Sequence, residues 1–294
     1  MELFDKYDLA NINKQVELLG NEVVVLASKL AKEKYAKLAF SLIDYTSLAT
    51  EDNERKISAW LNDLQSVFKK HKDIPKVAGI CVYPVFVATV KKTLEYPEIK
   101  VVSVSSGFPA SQTFEEVKIL ETRKAIEEGA QEIDIVMSVG RFLDGDFLYV
   151  RHEIETIKKI CGNIPLKVIL ETGALPNIDS IAKASILALQ GGADFIKTST
   201  GKQNPAASIP AIATMSLIIK KHFELTNQKK SLKAAGGIVT TDQALQYIAI
   251  VKHVLGEEYI DSKWFRLGAS RLANNLLHDI MPGWDNDSKQ NSSY

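Results

Sequence analysis

Short runs rich in β-branched residues alternate with longer amphipathic stretches through most of the chain. The runs predict strands at Leu42–Thr46, Val77–Tyr83, Lys100–Val104, Glu132–Met137, Leu166–Leu170, Phe195–Thr198, Ser231–Ala235 and Trp264–Leu267. They are apolar on both faces, as parallel strands are when helices cover the sheet. Helical periodicity fills most gaps, for example over Thr113–Glu128, Phe147–Cys161, Ile178–Gln190 and Pro205–Phe223. Thr113 before Glu115 and Glu116, and Thr241-Asp242 before Gln243, supply helix-start signals. Gly129, Gly191-Gly192 and Gly256 stand where helices are expected to stop. Eight strand–helix repeats at a spacing of about 30 residues predict an α/β protein, a closed (β/α)8 TIM barrel, with an open doubly wound sheet as the rival. No G-x-G-x-x-G follows the first strand, which weakens the dinucleotide-binding form of that rival. A helical extension over residues 1–40 precedes the barrel domain, 41–282, and a polar tail, 283–294, is expected to be flexible.

Composition narrows the field. Of the 294 residues 46% are hydrophobic and 24% charged, enough for one large core and too apolar for global disorder. Lysine plus arginine equals aspartate plus glutamate at 36 each, so no net field draws the chain to nucleic acid or to an anionic membrane. The two cysteines, Cys81 and Cys161, sit in or beside apolar stretches and indicate a reducing compartment rather than a disulfide framework. The start carries acidic residues and no cationic leader, and the apolar run Val77–Val90 is short and broken by Pro84. A cytoplasmic protein without nucleic-acid or membrane partners is expected.

Candidate chemistry gathers at the strand ends: Asp44 and Thr46, Cys81, Ser105-Ser106, Asp134, Lys167 with Glu171, Lys197, Lys233, and Gly268 with Ser270. In a barrel these ends converge on one mouth, where active sites of this fold sit. Taken singly each residue has a bland explanation. Asp44 and Asp134 satisfy loop amides, Lys167 pairs with Glu171 or another barrel carboxylate, and Lys197 marks where its strand reaches solvent. The set is harder to dismiss. Lysine is seldom buried, and a desolvated lysine becomes an amine nucleophile for carbonyl groups. Lys197 and Lys233 lie on consecutive strands. Two ammonium groups ~4 Å apart repel by ~4 kcal/mol at an effective dielectric near 20, or ~3 pK units. That is about the drop a lysine needs to lose its proton near neutral pH. Lys197 is assigned the nucleophile and Lys233 the perturbing cation, although sequence alone permits the reverse. Asp134 is either a proton carrier or the charge partner that holds these amines. Thr200-Gly201-Lys202, Ala235-Gly236-Gly237 and Gly268-Ala269-Ser270-Arg271 follow the last three strands. There glycines and helix starts suit an oxyanion, while tight turns alone explain any one of them. The five histidines fall outside the strand ends and none has a ligand-spaced neighbour, so no metal site is expected.

These residues resemble the deoxyribose-phosphate aldolase family from about Leu42 to Leu277. The motifs are LIDYTSL (Leu42–Leu48), ICVYP (Ile80–Pro84), EIDIV (Glu132–Val136), LKVILETG (Leu166–Gly173), DFIKTSTGK (Asp194–Lys202), LKAAGG (Leu232–Gly237) and FRLGAS (Phe265–Ser270). The resemblance implies a TIM barrel that reversibly cleaves 2-deoxy-D-ribose 5-phosphate to D-glyceraldehyde 3-phosphate and acetaldehyde. The reaction runs through a lysine Schiff base, without metal or cofactor, in deoxyribonucleoside breakdown. It implies that Lys197 is the Schiff-base lysine, Lys233 the lysine that perturbs it, and Asp134 a proton relay. Gly201, Lys202, Gly236, Gly237 and Ser270 fall on phosphate-binding positions, and Asp44 and Thr46 line the substrate end. Cys81, Lys167, Thr200 and Arg271 complete the substrate-binding candidates, and Tyr294 resembles a tail tyrosine that assists proton transfer. Two positions depart from the family: Ala234 replaces a proline beside Lys233, and Arg271 replaces a small hydroxyl residue. A homo-oligomer, dimer or tetramer, is expected. The rival functions are a Schiff-base aldolase or transaldolase for another sugar phosphate, and a catalytically silent sugar-phosphate-binding barrel.

Overall fold

The computed structural model describes residues 3–281. Eight parallel strands pair in sequence order: β1 (Ile43–Thr46), β2 (Gly79–Val82), β3 (Lys100–Ser105), β4 (Glu132–Val136), β5 (Leu166–Ile169), β6 (Phe195–Lys197), β7 (Ser231–Ala235) and β8 (Phe265–Gly268). The last strand pairs back to the first, Asp44 opposite Gly268, so the sheet has no edge and the open-sheet rival is excluded. Around it lie α3 (Glu54–Lys70), α4 (Val87–Thr93), α5 (Glu115–Glu127), α6 (Val139–Leu143), α7 (Phe147–Cys161), α8 (Ile178–Gln190), α9 (Ile209–Thr226), α10 (Thr241–Leu255) and α11 (Arg271–Ile280). Two helices precede the barrel, α1 (Leu9–Ser28) and α2 (Lys32–Ser41). Among the described residues no helix is long and apolar enough to cross a membrane.

Strand ends differ from the sequence expectation by at most two residues, but three helix starts are corrected. The capping box of α10 is built by Thr240 with Gln243, not by Thr241. Phe114 rather than Thr113 precedes α5, and it offers no side-chain cap. Helix α9 begins at Ile209 rather than Pro205, because the Ser208 side chain accepts from the Ala211 amide and Pro210 sits in the first turn.

The period of two along each strand divides the core. Ile80, Ile133, Ile135, Val168, Ile196, Leu232 and Leu267 belong to the apolar layer between barrel and helices. A separate small cluster, Leu48, Cys81, Val102 and Val104, occupies the other side of β2 and β3. The charged residues of β1 and β4–β8 fill the rest of the barrel interior. The N-terminal helices are part of the packed body: α1 buries Ile12, Val16, Leu19 and Val23 against α9 and α10. Each such side chain contributes roughly 1.5–3 kcal/mol relative to exposure.

Candidate active site

Asp134, in the middle of β4 and fully buried, is the centre of the ionic interior. Its Oδ1 lies 2.9 Å from Lys167 Nζ, and its Oδ2 lies 2.8 Å from both Lys197 Nζ and Lys233 Nζ. Burial opposes ionisation of this carboxyl, yet the three ammonium groups outweigh burial and hold its pKa well below the usual carboxylate range. The two lysines on its Oδ2 part company. Burial pushes the Lys197 amine down, Asp134 resists, and the charge of Lys233 adds to the lowering, so the net direction is down. Burial also pushes Lys233 down, but Asp134 and Asp44 overcome it and its pKa is raised. Lys233 lies 2.5 Å from Asp44 Oδ2, a second carboxylate that Lys197 lacks.

Two glycines make room for these charges. A Cβ on Gly79 would come within 2.8 Å of Asp44 Oδ1, and one on Gly268 would sit 3.0 Å from Lys233 Cε. Beneath, Asp44 and Lys167 meet two residues that sequence reasoning did not assign, Arg266 and Glu132. Arg266 of β8 contacts Asp44 Oδ1 at 2.5 Å and Glu132 Oε1 at 2.8 Å, and Lys167 contacts Glu132 Oε2 at 2.6 Å. Glu132 was legible as the residue two before Asp134, hence on the same face. Arg266, alone between Phe265 and Leu267, carried no such signal.

A cavity of about 50 Å³ opens at the C-terminal mouth beside Lys197. Thr46, Thr200, Gly201, Gly236, Gly237, Ser270 and Arg271 border it, and of the seven charged side chains inside the barrel only Lys197 does so. Asp44, Lys167 and Lys233 lie below it, in the ion network, and Cys81 lies in the apolar cluster. Lys167 does not pair with Glu171, whose carboxylate instead accepts from Thr200 Oγ1 at 2.6 Å. Lys202 is also outside the lining, its Nζ donating to the Leu48 carbonyl at 2.6 Å. Ser105 and Ser106 turn outward to Thr122 of α5. Tyr294 lies outside the described residues. A larger surface groove, about 1150 Å³ between Tyr7, Phe147 and His222, contains none of the ionic cluster.

Glycine backbone and a helix start form the wall of the mouth. Gly236 and Gly237 both have left-handed backbones, φ +85° and +72°, and a Cβ on Gly236 would lie 2.7 Å from that of Ala206. Ser270 precedes α11, and its buried Oγ has no hydrogen-bond partner among the described residues. The positive end of α11 therefore meets an unused hydroxyl at the cavity wall.

Fold and site together define a class: a (β/α)8 barrel with a crowded amine cluster under its C-terminal mouth. Comparison with known proteins narrows this. Residues 39–255 match the DeoC/LacD family of aldolases. The chain is 36% identical to deoxyribose-phosphate aldolase of Homo sapiens over 252 residues, 82% of this chain and 79% of that one. It is 34% identical to deoxyribose-phosphate aldolase of Bos taurus over 282 residues, 92% of this chain and 89% of that one. The barrel superposes on the solved structure of deoxyribose phosphate aldolase from Aeropyrum pernix with a TM-score of 0.66 at 22% identity, covering 88% and 97% of the two chains. The chain belongs to the DeoC/LacD aldolase family and, within it, to the deoxyribose-phosphate aldolases, carbon–carbon lyases of the class I type.

Proposed function

We propose that the protein reversibly cleaves 2-deoxy-D-ribose 5-phosphate to D-glyceraldehyde 3-phosphate and acetaldehyde, with Lys197 as the Schiff-base nucleophile. One observation carries this reading: Lys197 is the only buried charge of the barrel that borders the cavity, and it is the cluster amine whose pKa is lowered. Neutral Nζ attacks C1, and loss of water gives an iminium. Acetaldehyde carries away C1 and C2, so the bond that breaks joins C2 to C3. Its electron pair passes into the iminium, giving an enamine, while the C3 hydroxyl loses its proton and C3 becomes the aldehyde of glyceraldehyde 3-phosphate. The enamine is then protonated at C2, and hydrolysis frees Lys197 and acetaldehyde.

With Lys197 neutral, the ammonium groups of Lys167 and Lys233 still hold Asp134 as a carboxylate, so it passes protons rather than storing one. Lys233, protonated and within 2.8 Å of Asp134, is the donor that restores them. The backbone at Gly201, Gly236 and Gly237, the Ser270 hydroxyl and the start of α11 receive the phosphate, with Arg271 at the rim as an added charge. Sequence resemblance alone supports a role for Tyr294 in enamine protonation. A cytoplasmic homo-oligomer remains our reading of the whole protein; exposed Val85, Phe114, Val117 and Leu120 support self-association. Borohydride trapping with deoxyribose 5-phosphate and mass mapping of the adduct tests the reaction. An adduct on Lys197 is expected, and its absence refutes the mechanism.

A further inference from the structure

We propose that Arg266 is a positioning residue for the reaction: by holding Asp44 and Glu132 permanently, it leaves Lys197 as the one amine without a carboxylate oxygen of its own. The proposal rests on the reading of Lys197 as nucleophile. The barrel strands bury four cations, Lys167, Lys197, Lys233 and Arg266, against three carboxylates, Asp44, Glu132 and Asp134. Their six oxygens can be followed one by one. Asp44 Oδ1 meets Arg266 at 2.5 Å and Oδ2 meets Lys233 at 2.5 Å. Glu132 Oε1 meets Arg266 at 2.8 Å and Oε2 meets Lys167 at 2.6 Å. Asp134 Oδ1 meets Lys167 at 2.9 Å, which leaves Oδ2 to be shared by Lys197 and Lys233.

One cation is therefore in excess, and chemistry decides which. A guanidinium keeps its proton at any pH the fold survives, so Arg266 cannot relieve the excess. Lys167 and Lys233 each touch two or more carboxylates, and Lys197 touches one that it shares. The remaining titratable neighbours do not compensate. Cys81 of β2 is kept as a neutral thiol by burial, and Glu171 at the end of β5 is turned to Thr200. Arg266 reaches from β8 across the interior to β4, and by occupying Glu132 it confines Lys167 to what is left. The excess is thus set at the floor and falls at the mouth, on the only amine that borders the cavity.

Two strand spacings separate β8 from β6, ~10 Å, a range at which a unit charge shifts an amine by ~1 pH unit. The test uses the full chain, with acetaldehyde and cyanoborohydride, and reads the midpoint pH for adduct formation on Lys197. R266Q is expected to raise the midpoint by ~1 unit. R266K, which keeps the charge, leaves it in place. E132Q removes a carboxylate and lowers the midpoint, and the double variant R266Q/E132Q returns it to the wild-type value. An unchanged midpoint in R266Q, or shifts of the same sign in R266Q and E132Q, overturns the inference. Should R266Q fail to fold, E132Q decides by direction: a fall supports the inference, and no change or a rise overturns it. Wild-type protein with no adduct on Lys197 overturns the nucleophile assignment itself, a different result from an adduct whose midpoint ignores Arg266.

Discussion

Two buried ionic sites in this protein differ in stoichiometry, and the difference separates structure from chemistry. Between α5 and α7, Lys118 and Glu153 face each other one to one at 2.5 Å. Lys118 also donates to Ser111 at 2.8 Å and Ser138 at 3.0 Å, and Ser138 donates to Glu153. Every charge there is matched and every hydroxyl used, so the cluster ties the loops after β3 and β4 to the helices and has nothing left to react. Inside the barrel four cations meet three carboxylates, and the unmatched amine lines the cavity. A matched buried pair resists removal of either partner. A mismatched set lowers the proton affinity of one amine, which leaves it free to attack a carbonyl.

The sharpest way to break the comparison is Lys197→Met. Cleavage should fall on the order of 10⁴-fold or more, since a covalent route is lost. Stability should hold or rise, and the sign follows from linkage. Lys197 has a folded pKa below its unfolded value near 10.4, so at neutral pH its proton opposes folding, a cost that fades as pH rises through that window. Asp134 runs the other way: its folded pKa is depressed, so its contribution is present above ~4 and is lost as pH falls further. A clear drop in melting temperature for Lys197→Met would count against the surplus. Lys118→Met makes the reverse case. It strands Glu153 and should cost ~3–5 kcal/mol in urea unfolding, while turnover of the folded fraction stays near wild type. Next in size is Lys233→Gln. Loss of the proton donor should lower kcat by ~10²-fold. The acid limb of the pH profile should also move up, because the cation that depresses Lys197 is gone. A limb that stays in place would remove Lys233 as the perturbing group.

Most of the fold was legible because strands covered on both faces announce themselves, and all eight lie within two residues of their expected ends. Helix starts were less so: Thr240 and Ser208 do the capping, while Thr113 and Pro205 looked equally eligible in sequence. At the site, the neighbourhood of Lys197, Lys233 and Asp134 could be inferred from strand order, although only Lys197 of the three borders the cavity. Their shared oxygen could not, since it depends on side-chain direction across three strands. Asp44 and Lys167 read as substrate-facing and lie instead in the network below. Arg266 and Gly79 were invisible because each acts on a residue more than 30 positions away: Gly79 meets Asp44 across the β1–β2 pairing, and Arg266 meets it only once β8 closes back on β1.

The smallest effect sharpens the same contrast between used and unused groups. Ser138 and Ser270 are both hydroxyls at the mouths of barrel loops, but Ser138 is fully engaged by Lys118 and Glu153, whereas the buried Ser270 Oγ has no partner among the described residues. A buried hydroxyl without a partner costs stability, and the proposed phosphate contact would supply the missing partner. Ser270→Ala should therefore leave unfolding unchanged or slightly more costly, and raise KM for deoxyribose 5-phosphate roughly 10-fold, the worth of one hydrogen bond to a charged oxygen. Unphosphorylated deoxyribose should not register the change. Ser138→Ala should do the opposite, losing ~1–3 kcal/mol of stability with KM intact, because it leaves two charges short of a partner. If instead both sugars lose affinity equally in Ser270→Ala, the hydroxyl shapes the whole cavity rather than meeting the phosphate, and the anion would have to rest on Arg271 and the glycine amides alone.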